Sequence, residues 1–280
     1  MPDLSVIIPS RNEVYLVKTM EDILSKAEGN IEIIAILDGY KLENPIEDSR
    51  IVYLHIGQAK GMRNAINSGV AIAKSKYLMK CDAHCLFDRG FDLKLSADYQ
   101  PDWVVVPRRK RLDEASWSTS DQKPDIDYEY LSYPNITGNW SDGLHGRPWN
   151  ARAQERAKIP IDDNMSAQGS CWFMSKDYYH KLELEDEENY GTFSHEFQEI
   201  GLKCWLSGGK VMSNKKTWYA HLHKGRGYSL GSTVINKGTM YTNRWLTNSA
   251  WAKQTLPFSW LIEHFWPVPG WPQDRKLWTP

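Results

Sequence analysis

The chain has 280 residues, with 34 Lys and Arg against 35 Asp and Glu, and its formal net charge of −1 gives no global field toward nucleic acid or an anionic membrane. Four Cys in no disulfide-framework spacing, and no apolar run of the ~18 residues a membrane span needs, set it apart from stapled secreted domains and membrane-spanning chains. Met1-Pro2-Asp3-Leu4 carries neither a basic n-region nor an apolar h-region, so the expectation is a chain without a signal peptide in a reducing, cytoplasmic compartment.

The first hundred residues alternate strand and helix patterns. Leu4-Ser5-Val6-Ile7-Ile8-Pro9 reads as a buried strand stopped by Pro9. Leu16, Met20, Ile23 and Leu24 recur at helical spacing until Gly29-Asn30. A second strand runs from Ile31 to Leu37 and ends on Asp38-Gly39, and Ile51-Val52-Tyr53-Leu54 makes a third. Met62, Ala65, Ile66, Gly69, Val70 and Ala73 fit one helix face. The fourth strand, Lys76 to Cys81, delivers Asp82-Ala83-His84. This alternation predicts an α/β fold with a mostly parallel central sheet flanked by helices. Ligands of such open sheets gather at the carboxyl ends of the strands. A carboxylate and an imidazole one residue apart at that edge can hold a divalent cation and leave positions for phosphate oxygens.

The pattern changes in the second half. Trp103-Val104-Val105-Val106-Pro107 is a strand leading into Arg108-Arg109-Lys110-Arg111, a basic run in a neutral chain. Such a run fits a solvated turn or a surface that meets an anionic acceptor. Lys215, Lys216, Lys224 and Arg226 would extend that surface, and the 13 Trp and 14 Tyr offer either core or stacking for a base or sugar ring. Residues 112–165 show no period and are expected as a functional loop or lid. Gly169 to Met174 is a strand. Phe197, Ile200, Gly201, Cys204 and Trp205 mark the buried face of a helix ended by Gly208-Gly209, with Glu196 and Glu199 close together on a neighbouring face. After Lys210-Val211-Met212 comes His221-Leu222-His223, whose imidazoles would point to opposite sides of an extended chain. The expected organisation is one domain, with residues 1–100 binding nucleotide, 101–250 building the acceptor side, and 251–280 wrapping the body as an irregular Trp- and Pro-rich tail.

Taken in order, these motifs resemble the nucleotide-sugar glycosyltransferases of the GT-A type, broadly family 2 and more closely the catalytic domain of polypeptide N-acetylgalactosaminyltransferases. Ser5-Val6-Ile7-Ile8-Pro9 with Asn12-Glu13 resembles that group's opening strand and donor-binding turn, and Glu32-Ile33-Ile34 to Asp38 its second strand, whose acid holds uracil or ribose. Gly61-Met62-Arg63-Asn64-Ala65 is similar to the Gly-x-x-x-Ala turn near the nucleotide, and Asp82-Ala83-His84-Cys85 to the Asp-x-His-Cys metal motif. Gly191 through Glu196-Phe197-Gln198-Glu199, then Trp205 and Gly208-Gly209, resembles the Trp-Gly-Gly-Glu-Asn-x-Glu helix, and Ala220-His221 the Gly-His that supplies a third metal ligand.

The resemblance implies a metal-dependent glycosyltransferase that moves a sugar from a UDP-sugar donor to an acceptor hydroxyl. It implies Mn2+ (or Mg2+) on Asp82, His84 and His221, with His223 in reserve. Pro9, Arg11, Asn12, Glu13, Asp38, Gly61, Arg63, Asp82, Gly169 and Trp172 are the expected donor-binding residues, Arg11 and Arg63 toward ribose or phosphate. Glu196 and Glu199 are the expected catalytic pair, one stabilising an oxocarbenium-like centre and the other binding sugar hydroxyls or the acceptor, in a retaining reaction if the closest family is followed. Phe193, His195, Arg108, Arg109, Lys110 and Arg111 are expected on the acceptor side. Phe193-Ser194-His195 stands where the family has Trp-Gly-Gly, and Phe197 replaces its Asn, so an N-acetylgalactosamine donor and a peptide acceptor do not carry over. The acceptor is then a saccharide or lipid-linked glycan, or a hydroxylated base in DNA. The alternative from another class is a non-catalytic nucleotide-sugar or carbohydrate-binding module of the same fold, which would hold a UDP-sugar without releasing UDP.

Overall fold

A computed structural model of the chain describes residues 1–134, 144–225 and 232–278, so Arg226 lies outside the described residues. In chain order the strands are β1 (Leu4–Ser10), β2 (Ile31–Asp38), β3 (Ile51–Ile56), β4 (Tyr77–Cys81), β5 (Cys85–Phe87), β6 (Trp103–Asp113), β7 (Ser118–Ser120), β8 (Glu129–Leu131), β9 (Gly146–Pro148), β10 (Ile161–Asp163), β11 (Cys171–Ser175) and β12 (Lys210–His221). The helices are α1 (Leu16–Lys26), α2 (Met62–Ile72), α3 (Phe91–Ser96), α4 (Asn150–Glu155), α5 (Lys176–Lys181), α6 (Glu187–Tyr190), α7 (Glu196–Leu206), α8 (Ser232–Asn243) and α9 (Phe258–His264).

Among the described residues, ten strands form one sheet in the order β10-β12-β6-β11-β4-β1-β2-β3, with β5 on β12 and β7 on β6. β1 pairs in parallel with β2 and β4, and β2 with β3; α1 makes the crossover from β1 to β2 and α2 the one from β3 to β4. The central sheet is mostly parallel, with antiparallel members. β11 runs antiparallel to both β4 and β6, because it re-enters the sheet from the long excursion that follows β7 instead of through a helical crossover. β6 and β12 then pair in parallel at the far side.

Apolar residues of the central strands alternate between two core layers. Val6 and Ile8 face one layer with Leu16, Met20 and Ile23 of α1, while Ile7, Ile34 and Leu78 face the other with Ile66, Val70, Ile200 and Trp205. Three sequence expectations change. β6 continues through Arg108–Arg111, so the basic run is strand rather than turn, held by parallel pairing to Trp218–His221. The stretch 112–165 carries β7 to β10 and α4, with β10 paired on β12. The tail is not a loose wrap, since α9 buries Phe258, Leu261 and Ile262, and Phe265 meets Trp205 edge-on at 5.3 Å.

Candidate functional site

The carboxyl ends of β1, β2 and β4, the end of β12 and the first turn of α7 surround a cleft of about 800 Å3. Pro9, Arg11, Asn12, Glu13, Asp38, Asp82 and Gly169, seven of the expected donor-binding residues, line it. Asp38 closes a local turn as well, accepting from the Lys60 and Gly61 N–H groups at 2.7 and 2.9 Å. Gly61 itself does not line the cleft and sits at φ +103°, a backbone conformation closed to most side chains.

Asp82, His84 and His221 come together from chain segments far apart in sequence. β5 pairs with the end of β12, placing Cys85 opposite His221, while the Leu222 N–H donates to the His84 carbonyl. His221 Nε2 lies 3.1 Å from Asp82 Oδ2 and 3.1 Å from His84 Nε2, and the three ligand atoms fall within 4.8 Å of one another. The tautomer of His84 follows from its other nitrogen. Nδ1 is 3.0 Å from Glu13 Oε2, so the proton sits there and Nε2 turns its lone pair toward Asp82 and His221. Donor atoms about 3 Å apart match neighbouring ligands of one cation held at ~2.1 Å. The residues therefore fit a divalent cation. Burial lowers the pKa of His221, keeping it a neutral ligand. Burial alone would raise Asp82, yet Lys80 and the two histidines hold it well below the usual carboxylate range. Burial likewise works against Glu13, and its bonds to His84 and Lys224 outweigh it to keep the carboxylate ionised.

His223 does not point away from His221. β12 ends at His221, and the two rings meet edge-on at 4.9 Å in the cleft wall.

The two glutamates expected to share catalysis are separated. Glu196 lines the cleft, with Oε1 accepting from Trp172 Nε1 at 2.9 Å and Oε2 3.0 Å from Lys80 Nζ. Trp172 is fully buried, stands opposite Lys80 across the β11–β4 pair, and touches Glu196 rather than the cleft. Gly169 makes room for this carboxylate, since a Cβ there would stand 2.4 Å from Glu196 Oε2. Glu199, one turn on, is fully buried away from the cleft, paired with Arg63 and with Lys203 at 2.7 Å. Arg63, expected at the donor, is fully buried in the same group. It meets Glu185 at 3.1 Å and donates through Nη2 to the Ser194 carbonyl at 2.8 Å. On α2, Arg63 shares its buried face with Ile66 and Val70, three and seven residues on, while Met62 and Ala65 are the residues of this helix that line the cleft.

On the expected acceptor side, Arg109, Phe193 and His195 line the cleft, while Arg108, Lys110 and Arg111 do not. The basic run is met by a facing row of acids. Arg108 binds Asp127 through two bonds of 2.6 and 2.7 Å, Arg109 binds Glu129 at 2.7 Å, and Lys110 approaches Asp125 at 3.4 Å. His195 is strained, with φ +61° before α7, and both ring nitrogens are buried without a hydrogen-bond partner among the described residues. Its ring lies 5.5 Å from His145, and burial with these neighbours depresses its pKa to about 4.

Lys80 is the site residue that motif matching passed over. Its signal was a charge in an otherwise apolar strand, on the same face as Leu78 and two residues before Asp82.

The family model for glycosyl transferase family 2 matches residues 5–182. Glycosyltransferase GlyG of Streptococcus pneumoniae serotype 4 is 34% identical over 89 residues, which is 29% of this chain and 29% of that protein. Among solved structures, GalNAc-T7 with UDP, GalNAc and Mn2+ superposes with a TM-score of 0.73 at 18% identity, covering 89% of this chain and 49% of that one. S. aureus TarS 1-349 in complex with UDP-GlcNAc superposes with a TM-score of 0.55 at 13% identity, covering 90% of this chain and 68% of that one.

Proposed function

The chain belongs to glycosyl transferase family 2 and has the GT-A fold, and from that premise we propose that it is a metal-dependent transferase moving a sugar from a UDP-sugar to an acceptor hydroxyl. The observation that carries this reading is the convergence of Asp82, His84 and His221 beside Asp38 in one cleft. Structural neighbours that hold UDP with Mn2+ or UDP-GlcNAc support the donor class.

Asp82, His84 and His221 would hold the cation, which when bound neutralises the diphosphate of the leaving UDP. Asp38 and the Pro9–Glu13 turn bind the nucleoside, at the sheet edge where open α/β folds place theirs. Glu196, a carboxylate with its two oxygens held by Trp172 and Lys80, stands ready to stabilise positive charge that develops on the sugar. Arg63 and Glu199 support this arrangement from within the core, Arg63 by holding the Ser194 carbonyl in the segment that leads to Glu196. On the acceptor side, Phe193 and His195 line the cleft and would shape the pocket for the acceptor. Because Asp127, Glu129 and Asp125 answer Arg108, Arg109 and Lys110, three of the four residues of the basic run, a saccharide or lipid-linked glycan fits this wall better than DNA.

UDP release from a panel of UDP-sugars, with and without Mn2+, tests the reading on wild type and His84→Ala. Metal-dependent release from one donor, lost in the variant, is expected. Tight UDP-sugar binding with no release from any donor would replace the transferase by a binding module.

A further inference from the structure

Lys80 is a charge that β4 does not need for folding. Its neighbours Leu78, Met79 and Cys81 are buried and apolar, and burying an ammonium beside them costs free energy that an apolar side chain at the same position would not. All three ammonium protons are committed, to Asp82 Oδ1 at 2.9 Å, Gly169 O at 2.8 Å and Glu196 Oε2 at 3.0 Å. None is left for a substrate. The carboxylates it touches are each held at the second oxygen as well, Asp82 Oδ2 facing His221 and His84, and Glu196 Oε1 accepting from Trp172. The closeness is built in from the other side too, because at position 169 a side chain would displace Glu196.

We propose that Lys80 is a positioning residue that locks the cation-ligating Asp82 and the cleft-wall Glu196 into one rigid unit, without touching substrate itself. This rests on the metal-dependent transferase reading above. A charge effect and a positioning effect have opposite signs here. A cation beside a cation site repels the incoming ion, so a Lys80 acting by charge alone would bind Mn2+ more tightly once removed. A Lys80 that orients Asp82 would bind it more weakly once removed.

The test measures Mn2+ affinity by calorimetry at saturating UDP for wild type, Lys80→Met, Glu196→Gln and the double variant, followed by kcat and KM for UDP release. Lys80→Met is expected to weaken Mn2+ about tenfold or more. It should lower kcat with little change in KM for the UDP-sugar, and the double variant should lose less than the product of the two single losses. Unchanged or tighter Mn2+ binding in Lys80→Met overturns the proposal. If Lys80→Met does not fold, the double variant, in which the carboxylate stranded by loss of the ammonium is neutral, is compared with Glu196→Gln by the same Mn2+ measurement and the same criterion. A wild type that binds Mn2+ with UDP but releases UDP from no donor defeats the transferase reading, and the Mn2+ comparison still decides the hold of Lys80 on Asp82. A wild type that binds no Mn2+ overturns both.

Discussion

Two charge groups meet at the first turn of α7, and they differ in how they are closed. Around Glu199, Arg63 and Lys203 face Glu185 and Glu199, all four nearly or fully buried, and each charge ends on another or on a carbonyl of the same group. Around Glu196, the contacts run outward from Lys80 through Asp82 to His84, His221 and Glu13 and finish at the cleft. Buried polar atoms without a partner among the described residues occur in both, Arg63 Nε and Glu185 Oε1 in the first and His221 Nδ1 and both nitrogens of His195 beside the second. Residue type does not separate the two groups, since each holds carboxylates and cations at hydrogen-bond distance. What separates them is place: the Glu199 group is enclosed in the core, while the Glu196 group reaches the cleft through Asp82, His84, His221 and Glu13.

The widest break in this comparison is expected from Glu199→Ala or Arg63→Ala. Each strands a buried charge, and denaturant titration should show a loss of about 3–5 kcal/mol. A Glu199→Ala protein of wild-type stability would put Glu199 outside any structural role. Glu196→Gln is next. It keeps the shape of the side chain but only one accepting oxygen for Trp172 and Lys80, so the fold should persist, with some loss of stability, while UDP release slows by about 100-fold. Normal turnover in that variant would remove Glu196 from the chemistry.

A pH series sharpens the contrast at a smaller scale. The pKa of His195 falls from an unfolded 6.5 to about 4 in the folded chain, so its contribution to stability is complete above pH 6.5 and is lost as pH falls toward 4. The loss should amount to about 2 kcal/mol, allowing for the exposure that remains. Asp22, pushed up to about 6 by burial, acts in the opposite sense over the lower part of that range, so the informative quantity is the difference between wild type and His195→Gln. Parallel melting curves for the two proteins from pH 7 to 4.5 would contradict the assignment. The mildest effect belongs to Glu13→Gln, which removes the charge facing both His84 Nδ1 and Lys224 and should weaken Mn2+ about tenfold. An unaltered Mn2+ affinity would mean that His84 is oriented by packing alone.

Much of this was legible in the sequence. Alternating strands and amphipathic helices placed β1 to β4, α1 and α2 to within a residue or two, because burial on both sheet faces leaves continuous apolar runs and a helix face leaves a 3.6-residue period. Motif order points to Asp82, His84 and His221, and the fold brings their ligand atoms together. The roles of Arg63 and Glu199 were not legible. Both occupy motif positions that suggest ligand contact, and only the packing of α2 against α7 and the 183–190 segment shows that they bind each other. The basic run was similarly opaque, since its acids at Asp125, Asp127 and Glu129 come from a stretch with no readable period.

By itself, the sequence determined the elements and the inventory of chemical groups, because hydrophobic period and residue type are local properties. Which charges face the cleft and which are consumed inside was decided by tertiary structure alone. A side chain's partner depends on contacts such as Arg63 with Glu199 or Lys80 with Glu196, more than a hundred residues apart in the chain, and no local pattern encodes where two distant segments will meet.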